Sequence, residues 1–130
     1  MISAALTTLG GTLDKLVAKG KLAAADSAAL LGRIVPANGL AHLAPCGLVI
    51  EAVVEQLQVK KDLFAQMEAI VAADTVLASN TSSLSITAIA AACRRPEQVI
   101  GLHFFNPAPL MPLVEVVPGL ATDAGLPAHM

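Results

Sequence analysis

The residues of this 130-residue chain best suited to chemistry are an imidazole, a following carboxylate and a dense run of hydroxyls. His103 sits in Gly101-Leu102-His103-Phe104-Phe105-Asn106, Glu115 is the only acid of the apolar stretch Leu113 to Val117, and Ser79-Asn80-Thr81-Ser82-Ser83 crowds polar groups into one short segment. A carboxylate that bonds one imidazole nitrogen fixes the tautomer, raises the proton affinity of the ring and leaves the other nitrogen free as a general base. Whether Glu115 does this for His103 depends on topology and not on spacing. A lone histidine near a strand end is also a common structural residue, and a hydroxyl run is also what loops and helix caps require.

Three further ionisable groups lie upstream. Glu51 interrupts an apolar run, so it is either buried with a partner or marks an edge. Glu55 follows that run directly. Lys60 falls near the start of the next helix, where a cation is mildly unfavourable to the helix dipole but can meet a phosphate or carboxylate; the alternative is a plain solvated lysine. Cys46 and Cys93 have no metal-ligand spacing, and no metal site is expected.

The elements that must position these groups can be read from periodicity. Residues 3–33 read as a helical hairpin: Leu6, Leu9, Leu13 and Leu16 repeat at helical spacing, Gly10 and Gly11 weaken the first helix, and Gly20 stands where a cap would end it. The second helix spans about Leu22 to Arg33. Leu48-Val49-Ile50 with Val53-Val54 predicts a strand covered on both faces. Residues 57–72 predict an amphipathic helix with Leu63, Phe64, Met67, Ile70 and Val71 inward, and Gln58, Lys61, Asp62 and Glu68 outward. A strand at Thr75 to Ala78, a helix from about Ser85 to Cys93, and strands at Val99 to Phe104 and Leu113 to Val117 complete the series, with a Pro-punctuated loop between the last two.

Strands alternating with helices of this length predict an α/β fold with a mainly parallel sheet. Three of its strands lead into polar groups: the first into Glu55, the second into the Ser/Thr cluster, the third into His103 and Asn106. In an open parallel sheet those carboxyl ends share one rim, and ligands bind in the crevice outside it.

Composition excludes other classes. Hydrophobic residues make up 55 % and charged ones 14 %, which excludes a disordered chain, and a net charge of −2 gives no attraction to nucleic acid. Much of the apolar fraction is Ala, so the core is expected to be thin. The uncharged stretches Ile34 to Ile50 and Thr75 to Cys93 carry too many polar residues for a membrane span. No signal-peptide pattern opens the chain, and two lone thiols fit a reducing, cytoplasmic setting.

Four blocks carry a family resemblance. Leu48-Val49-Ile50-Glu51-Ala52-Val53-Val54-Glu55, Ser79-Asn80-Thr81-Ser82-Ser83-Leu84, Gly101-Leu102-His103-Phe104-Phe105-Asn106-Pro107 and Met111-Pro112-Leu113-Val114-Glu115-Val116-Val117 are similar to blocks of the 3-hydroxyacyl-CoA dehydrogenase family, in the same order. The resemblance is tight over residues 46–118. Residues 1–35 more loosely resemble a helical arm that the family inserts within its NAD-binding domain. It implies an incomplete Rossmann-like fold, with 1–118 a partial NAD-binding domain (the arm at 1–35, a βαβ core and catalytic edge at 46–118) and 119–130 a fraying tail.

The implied activity is NAD-dependent oxidation of 3-hydroxyacyl-CoA to 3-ketoacyl-CoA in fatty acid metabolism. His103 would be the base, Glu115 would orient it, and Ser82 would hydrogen-bond the reacting oxygen close to the nicotinamide. Glu55, Lys60 and Asn106 match positions lining the cofactor, and Lys15, Lys19 and Lys21 fall in the arm that lies near the CoA moiety. An acyl-CoA substrate is expected, with no nucleic-acid or membrane partner, and a homodimer only for the complete protein. The family's Gly-rich turn has no counterpart: Gly10-Gly11 is not preceded by an apolar strand, and no GxGxxG occurs. The chain is therefore expected to begin after that unit, to end before the family's C-terminal helical domain, and to be inactive by itself. A non-catalytic or complementing fragment and a Ser-His-Glu hydrolase built from Ser82, His103 and Glu115 are the alternatives; Ser82 lies outside a GxSxG elbow.

Overall fold

The computed structural model describes residues 2–108 and 111–130, so the Pro-punctuated loop falls partly outside the described residues. The chain divides into two compact units, Met1–Asn38 and Gly39–Met130.

The first unit is the expected hairpin, α1 (Ile2–Ala18) and α2 (Ala24–Gly32). The α1 helix runs through Gly10 and Gly11 and stops at Gly20, whose φ of 66° is the left-handed conformation that a side chain disfavours. The Gly20 amide donates to the Val17 carbonyl and the Lys21 amide to the Leu16 carbonyl, the paired bonds of a Schellman cap.

The second unit is a four-stranded sheet in the order β1-β2-β3-β4: β1 (Leu48–Glu51), β2 (Val76–Ser79), β3 (Val99–Phe104) and β4 (Val114–Pro118). The first three strands are parallel and β4 returns antiparallel to β3. Helices α3 (Leu57–Glu68) and α4 (Ile86–Ala90) form the crossovers. The Ser85 hydroxyl caps α4 by accepting from the Ala88 amide at 3.2 Å.

Because side chains alternate along a strand, the sheet has two separate apolar faces. Val49, Leu77 and Val99 pack with Phe64 and Met67 of α3 and with Ile86 and Ile89 of α4. Val76, Ala78, Ile100 and Leu102 point the other way, onto Leu126. Phe64 and Ile89 are wholly buried, and side chains of this kind each contribute roughly 1.5–3 kcal/mol. Gly101 is a packing requirement: a Cβ there would lie 3.0 Å from Ile86 and 3.0 Å from Val117.

Several expectations need correction. The first strand is not covered on both faces: Leu48 and Ile50 are 41 % and 43 % exposed, because they lie at the edge of the described sheet on the face where Leu126 packs only on β2 and β3. Val53 and Val54 are outside the strand; the chain leaves the sheet where the Val53 amide turns onto the Glu51 carboxylate at 2.5 Å. Residues 119–130 do not fray. The Thr122 hydroxyl donates to the Val99 carbonyl at 2.6 Å and accepts from the Gly119 amide at 2.8 Å, and the 3-10 turn Leu126–His129 seats Leu126 on the sheet. Glu68 is not simply solvated: its carboxylate accepts from the Arg94 and Arg95 amides at 2.8 and 2.7 Å.

Candidate active site

The antiparallel return of β4 sets His103 directly opposite Glu115. The imidazole Nδ1 lies 2.8 Å from Glu115 Oε2. A carboxylate can only accept, so Nδ1 carries the proton and Nε2 is left unprotonated in the neutral ring. Phe105 packs tilted against the imidazole with ring centroids 4.7 Å apart. The alternation of β3 puts His103 on the Gly101 side of the sheet, facing the turn between β2 and α4.

That turn carries Thr81, Ser82 and Ser83, and its shape is held by side chains. Thr81 is buried, and its Oγ accepts from the Leu84 amide at 3.0 Å and the Ser83 amide at 3.4 Å. The same hydroxyl donates to Glu55, and Ser83 Oγ reaches the same carboxylate oxygen at 3.4 Å. The Thr81 hydroxyl, and beyond it the Lys60 ammonium, hold the Glu55 carboxyl below its ordinary value of 4.5 against a smaller opposing effect of burial. Ser82 itself is exposed at the crest.

Between the turn and the dyad lies a cavity of about 220 Å³. Ser82, Ser83, His103 and Glu115 supply polar groups, while Ile86 and Val117 supply an apolar wall. A larger cleft of about 670 Å³ is lined by Glu68, Arg94 and Arg95 at the opposite, amino-terminal edge of the sheet, and the carboxylate of Glu68 is already bonded there. The smaller cavity is the one that meets the chemistry.

The remaining candidates separate. Glu55 is joined to the Thr81 turn. Asn106 is exposed in the loop after β3, where Asn106-Pro107 is a cis peptide. Lys60 is not solvated: it is 1 % exposed, and its ammonium donates to Glu51 at 2.7 Å and lies 3.3 Å from Glu55. Glu51 is thus the buried, partnered acid of its two alternatives, and it also accepts from Ser79 Oγ at 2.7 Å. Among the described residues no hydrogen bond joins Ser82 to His103, so the Ser-His-Glu hydrolase relay is not formed. Asn80 was not singled out from sequence, yet its Oδ1 accepts from the Phe104 amide at 2.8 Å, next to His103. Its role follows from its position just past β2, where β3 runs on unpaired on that side, a relation that only the structure shows. No group of three or more metal-ligating side chains occurs among the described residues.

A mostly parallel sheet with helical crossovers on one face and a polar, cavity-bearing rim at its carboxyl ends defines an incomplete Rossmann-like α/β domain. Residues 1–129 match the family model for the 3-hydroxyacyl-CoA dehydrogenase NAD binding domain. A 3-hydroxyadipyl-CoA dehydrogenase of Escherichia coli K12 is 50 % identical over 123 residues, covering 95 % of this chain and 26 % of that protein. A 3-hydroxybutyryl-CoA dehydrogenase of Mycobacterium tuberculosis is 43 % identical over 130 residues, covering 99 % of this chain and 46 % of that one. The crystal structure of (S)-3-hydroxybutyryl-CoA dehydrogenase PaaH1 from Ralstonia eutropha superposes with a TM-score of 0.94 at 40 % identity, over 98 % of this chain and 45 % of that one. The chain belongs to the 3-hydroxyacyl-CoA dehydrogenase NAD-binding-domain family, and it spans less than half the length of these relatives.

The cofactor of this family is NAD. The residues present fit one end of it. The cavity beside His103 carries an apolar wall and a hydroxyl rim, groups of the kind that would fit a nicotinamide ring and its ribose.

Proposed function

We propose that this chain supplies the catalytic edge of an NAD-dependent dehydrogenase that converts 3-hydroxyacyl-CoA to 3-ketoacyl-CoA in fatty acid metabolism. The observation that carries this reading is the His103–Glu115 pair, 2.8 Å apart across β3 and β4 and open to the cavity under the hydroxyl turn. With Nδ1 engaged by Glu115, His103 Nε2 accepts the proton of the substrate hydroxyl. Glu115 balances the charge the ring then gains. Ser82, exposed on the cavity rim, donates to the reacting oxygen. NAD, which Glu55 and Asn106 would hold, would supply the hydride acceptor that this oxidation of alcohol to ketone requires.

Glu55, Lys60 and Asn106 are assigned to the cofactor side, Glu55 as the contacting group and Lys60 through its hold on Glu55. Residues 1–35 form the arm beside the CoA moiety, 46–118 the catalytic core, and the complete protein is a homodimer. No helix among the described residues is long and apolar enough to cross a membrane, both cysteines are free, and a cytoplasmic setting accords with both.

The test is NADH formation with 3-hydroxybutyryl-CoA by the full protein bearing this segment. His103→Gln is expected to lower kcat by about a thousandfold or more with cofactor affinity retained. A variant that keeps the parent rate removes His103 as the base.

A further inference from the structure

A chain of buried and half-buried side chains runs from the end of β1 to the turn that carries Ser82. Glu51, 4 % exposed, accepts from Lys60 Nζ at 2.7 Å, from the Val53 amide at 2.5 Å and from Ser79 Oγ at 2.7 Å. Lys60 also donates to the Val53 carbonyl at 3.4 Å, and its ammonium pairs with Glu55 Oε2 at 3.3 Å. Glu55 accepts from Thr81 through its other oxygen, and Thr81 fixes the amides of Ser83 and Leu84. Ser82 lies inside that last loop of bonds.

The cost of burying two charges makes this arrangement informative. A lysine and a glutamate removed from water lose several kcal/mol of hydration each, which their attraction offsets only when the remaining hydrogen bonds are also made. Among the described residues no buried side-chain nitrogen or oxygen lacks a partner. A leucine and a methionine would fill the same space without that risk. What the ion pair adds is an attraction that hydrocarbon cannot supply: the same buried ammonium lies 3.3 Å from the half-exposed carboxylate that holds the turn.

We infer that Glu51 and Lys60 form a positioning unit that, through Glu55 and Thr81, fixes where the Ser82 hydroxyl sits relative to His103. Neither residue touches the cavity, so the pair acts through the turn and not on substrate. Its catalytic meaning rests on the dehydrogenase reading above; the mechanical claim does not.

The experiment replaces the pair by apolar residues of similar volume, Glu51→Met with Lys60→Met, and, as a second variant, Lys60→Met alone, which leaves Glu51 its bonds to Ser79 and Val53. Amide hydrogen exchange is followed residue by residue in the 130-residue chain. Protection of the Ser83 and Leu84 amides is expected to fall about tenfold or more in both variants, while Val99 and Ile100 at the centre of the sheet keep theirs. NADH affinity of the unmodified full protein is measured separately and reports on the functional reading alone. Unchanged protection at Ser83 and Leu84 overturns the inference. So does a uniform loss across the sheet in both variants, which would make the pair a part of the core and not a hold on the turn.

Discussion

The side-chain carbonyl of Asn80 accepts from the backbone amide of Phe104 at 2.8 Å, taking the place of a ladder partner that β2 no longer supplies. The last register pair of β2 with β3 is Ser79 with Gly101, so β3 runs on for three residues with nothing of β2 beside it. His103 lies in that overhang. The backbone of the overhang is held by β4 on one side and, at the Phe104 amide, by the Asn80 side chain on the other. Removing the acceptor by Asn80→Ala should cost about 1–3 kcal/mol, and Asn80→Asp, which keeps an acceptor, should cost less. Urea unfolding of both variants checks this; equal losses would show that the acceptor is not what matters.

Gly101 lets the start of α4 approach the sheet below the cavity. A methyl group there would meet both Ile86 and Val117 at 3.0 Å. Gly101→Ala should destabilise the unit by about 1–3 kcal/mol, the range for overpacking. Chemical denaturation is the measurement, and an unchanged midpoint would mean that the two neighbours move aside.

The Glu55 carboxyl is lowered in the folded chain, first by the Thr81 hydroxyl and then by Lys60. A lowered acid stabilises the fold above its unfolded value, near 4.5, and that contribution disappears as the pH falls through the folded value. The stability of the native chain should therefore decline between pH 4.5 and lower pH more steeply than that of Glu55→Gln. Since Glu55 is 40 % exposed, solvent screening keeps the difference small. Parallel slopes for the two proteins would remove Glu55 as a contributor.

Cys93 behaves in the opposite sense. Burial, with a further effect of the Glu68 charge, pushes its thiol up from 9.0 to about 11. A raised acid keeps its contribution below pH 9 and loses it as the pH climbs towards 11. At pH 8 the thiolate fraction is about a hundredfold below that of an ordinary thiol, so alkylation by iodoacetamide should be slowed by about that factor. Mass spectrometry of the peptide carrying Cys93 reads the rate; labelling as fast as a free thiol would contradict the burial.

What could be read from the sequence was whatever depended on a repeat or on a strand end. The limits of β3 follow from its apolar run, whereas the meeting of His103 with Glu115 stayed conditional on two consecutive strands being neighbours, which the antiparallel pairing of β3 and β4 supplies. The fate of Lys60 was not legible. Helical periodicity placed Phe64 and Met67 inward correctly, but a lysine in the first turn reads as solvated unless its partner is known, and that partner, Glu51, comes from another element. Leu126 was missed for a related reason: a single apolar residue among Gly and Pro carries no period, and only the third dimension shows that the sheet has a bare face for it. Asn80 looked like one more polar residue in a polar loop, since nothing linear marks where β2 stops and β3 continues.

The alternation of β3 has a consequence for how this segment can change over time. Leu102 anchors one face and His103 serves the other, on adjacent positions of the same strand. Inserting or deleting one residue upstream within β3 would exchange them, driving an imidazole into the apolar layer and a leucine into the rim. Length variation is consequently barred from the strand and confined to its flanking loops, so any lineage that preserves the fold also inherits the imidazole's orientation.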